Sequence, residues 1–419
     1  MSSFQPPGVP ASTTGKPCPP AWVLLNTLGY IADRDNATSR AEALTSTGHP
    51  IAFTFFPVEP PGVSHFCVHC RGLDYSTEPK VVHSADNLAL LTICLKHGRD
   101  LYREYFLYRA SRNGQPQSLE LLMGMHDQIS NLLPWAPIAV VPCGGGEQFV
   151  LAALGPRYWT GKYDFRVFRS ELGTWTKKVL ALGAKNAMDP KKVIVLVGGE
   201  IGWEDLLRGI LVCSDLLDPD PAFRVIPLPT LLPVNRVYTG RTPRSGEQFR
   251  DVVCVDGVIK LVEIEYCRRR VVHDVSKLEV LYDQDLSQTF GDIVDMEPDT
   301  YEYTGWRLLT WSRTVSSNCW RRGSLLHVDD MTYSALLPPA GRRLLEKKNL
   351  LLPSYPILSM DSTDVVYLKC KMDPKDTKAW VVTLDIGKKT IQDVAPFPDE
   401  RSRNTNFTAS PLFKYLNAE

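Results

Sequence analysis

The densest run of metal-type ligands and nucleophiles in the 419-residue chain is His65-Phe-Cys67-Val-His69-Cys70. Imidazole and thiolate are the usual ligands of zinc, and a thiol beside an imidazole is the usual pairing of a cysteine nucleophile with its base. In an extended strand His65, Cys67 and His69 share one face, with side chains two apart separated by about 7 Å. Residues four apart are separated by about 13 Å, so a straight strand cannot bring all three onto one ion. A fourth ligand would have to come from elsewhere. The expectation is a buried strand whose thiols pack as small apolar groups, with no metal and no cofactor.

Other catalytic signatures do not form. There is no G-x-S-x-G elbow, and Gly144-Gly-Gly146 is followed by Glu-Gln-Phe rather than by the Lys-Ser/Thr of a phosphate loop. No catalytic residue is assigned. For binding, the strongest candidate is Trp203-Glu204-Asp205-Leu-Leu-Arg208, which follows Gly198, Gly199 and Gly202. Trp and Arg dominate binding hot spots, and an aromatic with charged neighbours suits an exposed loop. The competing reading is structural: Trp203 plugs a gap between sheets and Asp205 pairs with Arg208. Arg241 and Arg244 join the candidate partner-binding set. They lie in the Pro/Gly/Ser-rich stretch Arg236–Arg250, where Tyr238 and Phe249 would allow base stacking beside cations. Arg268-Arg269-Arg270 is the other basic patch.

The elements that must carry these residues are short. Apolar, β-branched and aromatic runs bounded by Gly, Pro, Asp and Ser read as strands, among them Phe66–Cys70, Val193–Val197, Ile259–Ile264 and Trp380–Leu384. Helical periodicity is scarce. Ala340–Leu352 has helix formers between prolines, Thr38–Leu44 has room for a turn or two, and Trp203–Leu211 fits either a helical or a strand reading. A hairpin pattern recurs five times, at Tyr105–Leu122, Tyr163–Leu180, Gly209–Pro229, Arg307–Val328 and Ala379–Phe397. Two copies share an acidic–aliphatic–glycine turn, Glu171-Leu172-Gly173 and Asp385-Ile386-Gly387, where glycine supplies a positive φ. Further strands precede several copies, and a hairpin plus two inner strands is a propeller blade.

The expected fold is therefore all-β: a β-propeller-like domain over residues 21–397, with about six blades of four-stranded antiparallel sheet and five to seven allowed. Copy spacing is irregular, which keeps a β-sandwich or two small β domains as the alternative. Trp22–Tyr30 is expected to complete the last blade. Residues 1–20, with six prolines, read as a disordered tail, and residues 398–419 as a C-terminal tail.

Composition narrows the partners. Lys plus Arg and Asp plus Glu are equal at 47 each, so no global field attracts nucleic acid or an acidic membrane. No run approaches the roughly 18 apolar residues of a membrane helix, and the start lacks the apolar core of a signal peptide. The ten cysteines are scattered through apolar runs, as in a reducing compartment. These features point to an intracellular protein of the cytoplasm or nucleus, in which the sequons at Asn36 and Asn406 are chance matches.

Several segments together resemble a family. Trp22-Val-Leu-Leu, Asn36-Ala-Thr38, Thr45–Pro50, His65–Cys70, Tyr108-Arg109-Ala110, Arg169–Trp175, Gly202–Cys213 and Arg250-Asp251 occur in this order in plant proteins of the domain of unknown function 1618, abundant in grasses. The resemblance covers Trp22 to Glu265, and the rest more weakly. It implies a plant protein without an established activity and supplies no catalytic residues. The hairpins also resemble the kelch-like propeller domains associated with F-box proteins, but no F-box precedes them. The expected function is a non-catalytic scaffold that binds a protein or peptide through the loop face of the propeller. A hydrolase acting in the central channel and a weak nucleic-acid binder are the alternatives. A buried carboxylate or histidine cluster at the channel mouth would favour the enzyme; an exposed Trp or Arg on a rim would favour the scaffold.

Overall fold

The computed structural model describes residues 6–7 and 21–414 apart from 37, 113, 130–131, 133–135, 144–146, 158–159, 183–187, 237–244, 271–300, 338, 349–350, 362–363, 374, 399–400, 402–405 and 413. The described strands form six sheets, the blades of a six-bladed β-propeller. Blade 2 runs outward as Lys80–Ala85, Leu88–His97, Asp100–Arg109 and Ser118–Leu121. Blade 3 is Ile138–Cys143, Gln148–Arg157, Lys162–Arg169 and Thr174–Ala181, and blade 4 is Lys192–Val195, Ile201–Asp205, Gly209–Ser214 and Ala222–Pro227. Blade 5 is Arg250–Val255, Val258–Arg270, Tyr301–Thr314 and Arg321–His327. Blade 6 is Leu352–Leu358, Val365–Lys371, Ala379–Asp385 and Thr390–Phe397, with Thr332–Tyr333 added outside.

The five recurring hairpins are the two outer strands of blades 2 to 6. At the Glu171-Leu172-Gly173 turn, Gly173 takes φ +62° as expected. In the matching turn of blade 6 the left-handed residue is Lys389 at φ 53°, not Gly387. That turn is stapled by Asp385, whose carboxylate accepts from the Lys388 backbone N–H at 2.9 Å and from Lys388 Nζ at 3.0 Å. The Ala340–Leu352 helix shortens to Pro339–Leu345, and Thr38–Leu44 holds a strand, Ala41–Leu44, in place of helical turns.

Each blade is apolar on both faces, which is why its strands read as continuous apolar runs rather than as alternating ones. In blade 4, Val193, Trp203, Leu211 and Cys213 pack on blade 3, while Ile194, Ile210 and Val212 pack on blade 5. Corresponding clusters join blades 1 and 2, 2 and 3, and 5 and 6. The sixth cluster sets Trp22, Leu24 and Val63 of blade 1 against Tyr367, Val381 and Phe397 of blade 6, so the ring is closed.

Closure differs from expectation. Val23–Asn26 belongs to the first blade, not the last, and Phe407–Ser410, expected in a C-terminal tail, is a strand of blade 1. From the axis outward that blade is Phe407–Ser410, Val23–Asn26, Val63–Cys70, Pro50–Phe56 and Ala41–Leu44, with Tyr30–Ile31 also on Val63–Cys70. The strand carries little sequence signal because it is only four residues long and follows a polar stretch. Its two buried anchors, Phe407 and Leu412, are each 1% exposed. Arg401 clamps the same seam, donating to Leu28 O at 2.9 Å with its guanidinium 3.9 Å from the Tyr30 ring centre.

Cutting Phe407 to Ala should remove the anchor of this strand. The expected cost is about 3–5 kcal/mol, read as a drop in the denaturant midpoint. A change under about 0.5 kcal/mol would show that the strand is not part of the closure.

Candidate functional site

A propeller's inner strands all begin at the same face, so their first residues meet around the channel mouth even when far apart in sequence. Here the first residues of the inner strands of blades 2 and 4 are Lys80 and Lys192, and Arg250-Asp251 opens that of blade 5. Hydrogen bonds stitch these strands to one another. Ser84 Oγ meets Ser410 Oγ at 2.9 Å, and the Val140 N–H donates to His83 Nδ1 at 3.1 Å. Lys192 Nζ donates to Asp251 Oδ1 at 2.6 Å, and Asp251 Oδ2 accepts the Leu358 N–H at 2.8 Å. Asp251 thereby ties blades 4, 5 and 6 together at the axis.

Beneath Lys192 lies Glu204, its cross-strand neighbour. The Glu204 side chain is 0% exposed and neither carboxyl oxygen has a hydrogen-bond partner; Lys192 Nζ is 3.7 Å from Oε1. Burial pushes its carboxyl up to about 8. Lys192 opposes that shift, and Asp251 and Glu247 add to it. Burial alone would lower the Lys192 ammonium, but Asp251 and Glu204 lift it above its ordinary range. Glu247 acts on both, and also on Lys80, whose pKa burial lowers. Charges from blades 2, 4 and 5 thus share one small volume at the mouth. His83 faces the same region: burial and the Lys192 charge hold it down at about 4.

Burial thus favours the neutral acid at Glu204, beneath an ammonium that is itself bound to Asp251. The cluster presents lysine donors and carboxylate acceptors to the channel and keeps its neutral acid sealed. Next to it Arg250 is satisfied in full view of the chain: its guanidinium donates to Glu263 at 2.6 and 3.0 Å, to Leu206 O and to Pro229 O. Glu263 in turn accepts from the Leu232 N–H and Asn235 Nδ2, which fastens the connection from blade 4 to blade 5.

The candidates taken from sequence fare differently. Trp203 is not on a rim: it is 0% exposed in the second strand of blade 4, edge-on to Phe165, with Nε1 donating to Pro137 O at 3.3 Å. Glu204 and Asp205 are buried beside it. Arg208 is exposed, but its Nη1 is held at 2.9 Å by Asp205, which also accepts from the Leu207 and Asp189 N–H groups. The structural reading of this segment is the one the geometry supports, because a strand buried on both faces has no rim to offer. Arg241 and Arg244 lie outside the described residues.

His65 and Cys67 are both buried in the strand Val63–Cys70, and the His65 ring stacks on Phe56 at 5.0 Å. Burial, with Arg34 and Arg401 nearby, holds His65 down at about 4, and burial pushes the Cys67 thiol up to about 11. Both shifts oppose a thiolate–imidazolium pair. Among the described residues no group of three or more His, Cys, Asp and Glu is placed to hold a metal ion. Among them, too, no helix is long and apolar enough to cross a membrane.

Fold and site define a six-bladed propeller with a charged channel mouth. The family described as Protein of unknown function (DUF1618) matches residues 203–367, which supports the resemblance in that part of the chain. No curated protein matches. The chain is similar to the catalytic domain of a GH62 α-L-arabinofuranosidase of Coprinopsis cinerea, at 10% identity and TM-score 0.30, over 85% of this chain and 91% of that one. It is also similar to the β-propeller domain of the Trilobed protease of Pyrococcus furiosus, at 8% identity and TM-score 0.26, over 76% and 86%. At these scores neither likeness carries an argument.

Two outcomes are expected. Trp203→Ala should cost about 3–5 kcal/mol of stability, while Arg208→Ala should stay within about 0.5 kcal/mol. Equal melts for the two variants would contradict the packing described. The second concerns pH. Between pH 6.5 and about 4 the unfolded chain binds protons at His65 and His83 that the folded chain refuses, so acidification destabilises. Between pH 4.5 and about 8 the folded chain keeps a proton on Glu204 that the unfolded chain has lost, so raising the pH destabilises. Stability should peak near pH 6.5 and fall toward pH 8 by up to roughly 1.4 kcal/mol per pH unit. Glu204→Gln should flatten the alkaline limb of denaturant midpoints measured across pH and steepen the acid limb between pH 4.5 and 6.5, where Glu204 opposes the two histidines.

Proposed function

We propose that the chain is a non-catalytic scaffold that takes a polar peptide or protein segment at the channel mouth. The observation that carries this reading is the arrangement of Lys80, Lys192, Asp251 and Glu247. Lys80, Lys192 and Glu247 keep charges within reach of solvent at the axis, beside the buried Asp251 that braces blades 4 to 6. A ring held together by apolar faces does not need the solvent-reached charges for its packing. Ammonium and carboxylate groups side by side suit a segment that carries both signs, such as a peptide with an acidic and a basic side chain. The expected binding surface thus moves from the Trp203 segment to the mouth, on the same loop face.

The raised pKa of Glu204 favours a second reading, a hydrolase with Glu204 as general acid. Against it stands the complete burial of that carboxyl, since a catalytic acid must reach the bond it protonates. The family match to DUF1618 is consistent with either reading.

Selection of a phage-displayed peptide library on the full chain separates them. Peptides bearing charged residues should be enriched on the wild type and lost on Lys80→Met/Lys192→Met, while Glu204→Gln retains them. Both variants must melt cooperatively. Equal enrichment on wild type and the double lysine variant would sink the channel-mouth scaffold. Turnover of chromogenic 4-nitrophenyl esters or glycosides, abolished by Glu204→Gln, would establish the enzyme instead.

A further inference from the structure

A cavity of about 620 Å³ opens between blades 4 and 5, near the turns at Val197 and Gly257. Lys192 lies at the start of its strand and Val197 just beyond that strand's end, so the cavity is at the opposite end of the blade from the channel-mouth cluster. Its size falls within the roughly 300–1,000 Å³ range of small-molecule sites. The wall is apolar along Val197, Val225, Ile226 and Val315 and polar at Glu200, Arg224 and Arg313.

The two arginines differ in their charge balance. Arg224 is spent on Glu200, with Nη1 at 3.2 Å and Nη2 at 2.8 Å, and Ser214 Oγ fixes the same carboxylate. Arg313 is 7% exposed and has no carboxylate partner among the described residues. Its Nε donates to Thr314 O at 3.4 Å, its Nη2 donates to Ser317 O, and its guanidinium carbon is 5.6 Å from the centre of the Trp320 ring. Two carbonyls and an aromatic face position the cation but do not neutralise it. Burial lowers its pKa, and the Arg224 charge adds to the shift, as expected for a site that lacks an anion. A buried guanidinium lining a cleft and held in place by neutral groups is an arrangement by which proteins recognise carboxylate and phosphate.

We propose that this cleft binds a small organic anion, with its oxyanion group on Arg313 and its apolar body along Val197 and Ile226. The site is independent of the channel mouth.

The test is titration calorimetry with phenyl phosphate and benzoate, beside neutral benzyl alcohol and cationic benzylamine. At least one anion should bind, the neutral and cationic probes should not, and added salt should weaken the binding. The arm that responds, phosphate or carboxylate, names the headgroup. Arg313→Gln should weaken binding at least tenfold. Because Arg313 also braces the turn after Thr314, a second variant guards against misfolding: Val197→Trp, at a position 55% exposed, should fill the cleft and abolish binding while the melt stays unchanged. Absence of binding by both anions overturns the proposal. So does equal binding of benzyl alcohol, or anion binding that survives in a folded Arg313→Gln or Val197→Trp protein.

Discussion

Everything in this molecule depends on the burial of two faces per blade. A four-stranded sheet with apolar residues on both sides is not a stable object in water, and each blade here has such residues on both sides. The faces are covered only by neighbouring blades, so the end blades of an open row would each leave one face bare. Closing the row is the solution, and the cluster of Trp22, Leu24 and Val63 against Tyr367, Val381 and Phe397 is where it happens. Fixed inner-strand positions follow from closure, and the charged mouth follows from them. Lys192 and Asp251 become neighbours because a ring has an axis, not because any local sequence brings them together.

Polar groups are used in two distinct ways within that frame. The Arg250–Glu263 pair is fully enclosed, yet its hydrogen bonds are satisfied by side chains and by carbonyls and N–H groups of the connection it holds. That is the condition under which a buried ion pair is tolerated. Glu204 is enclosed without hydrogen-bond partners, with the Lys192 ammonium at 3.7 Å, and burial raises its pKa. The first arrangement fastens chain; the second stores a titratable group under the mouth.

Much of the architecture is legible in the residues. The outer hairpins of blades 2 to 6 announce themselves because each is a local pair of strands around a short polar turn, and the Glu171-Leu172-Gly173 turn behaves as its glycine requires. Blade 1 is not legible in this way. Its earliest strand, Val23–Asn26, lies inside the later meander Ala41–Leu44, Pro50–Phe56 and Val63–Cys70, and the blade is finished by Phe407–Ser410, a strand too short to stand out. The site was harder still. Trp203 and Arg208 have the residue types of an interface, but the same large aromatic fills a gap between blades, and type alone does not separate the two. Strand alternation does: Trp203 shares its face with Leu211 and Cys213 of the next strand, not with solvent. Lys192 and His83 carry no local signal, since a polar residue in an apolar strand looks like an ordinary strand end. Only the ring gives them meaning.

The makeup of blade 1 also sets an order of events during synthesis. Val23–Asn26 is made long before its inward neighbour, Phe407–Ser410. Until then the N–H and C=O groups on that side of Val23–Asn26 have no partner, and the Leu24 surface lacks the blade it will pack against. A nascent chain therefore carries an adhesive sheet edge throughout elongation, of the kind that pairs with other chains when left uncovered. Contacts of such long separation also make ring closure a slow final step. The protein's time of greatest exposure to aggregation is thus its own translation, and the arrival of Phe407–Ser410 is what ends it.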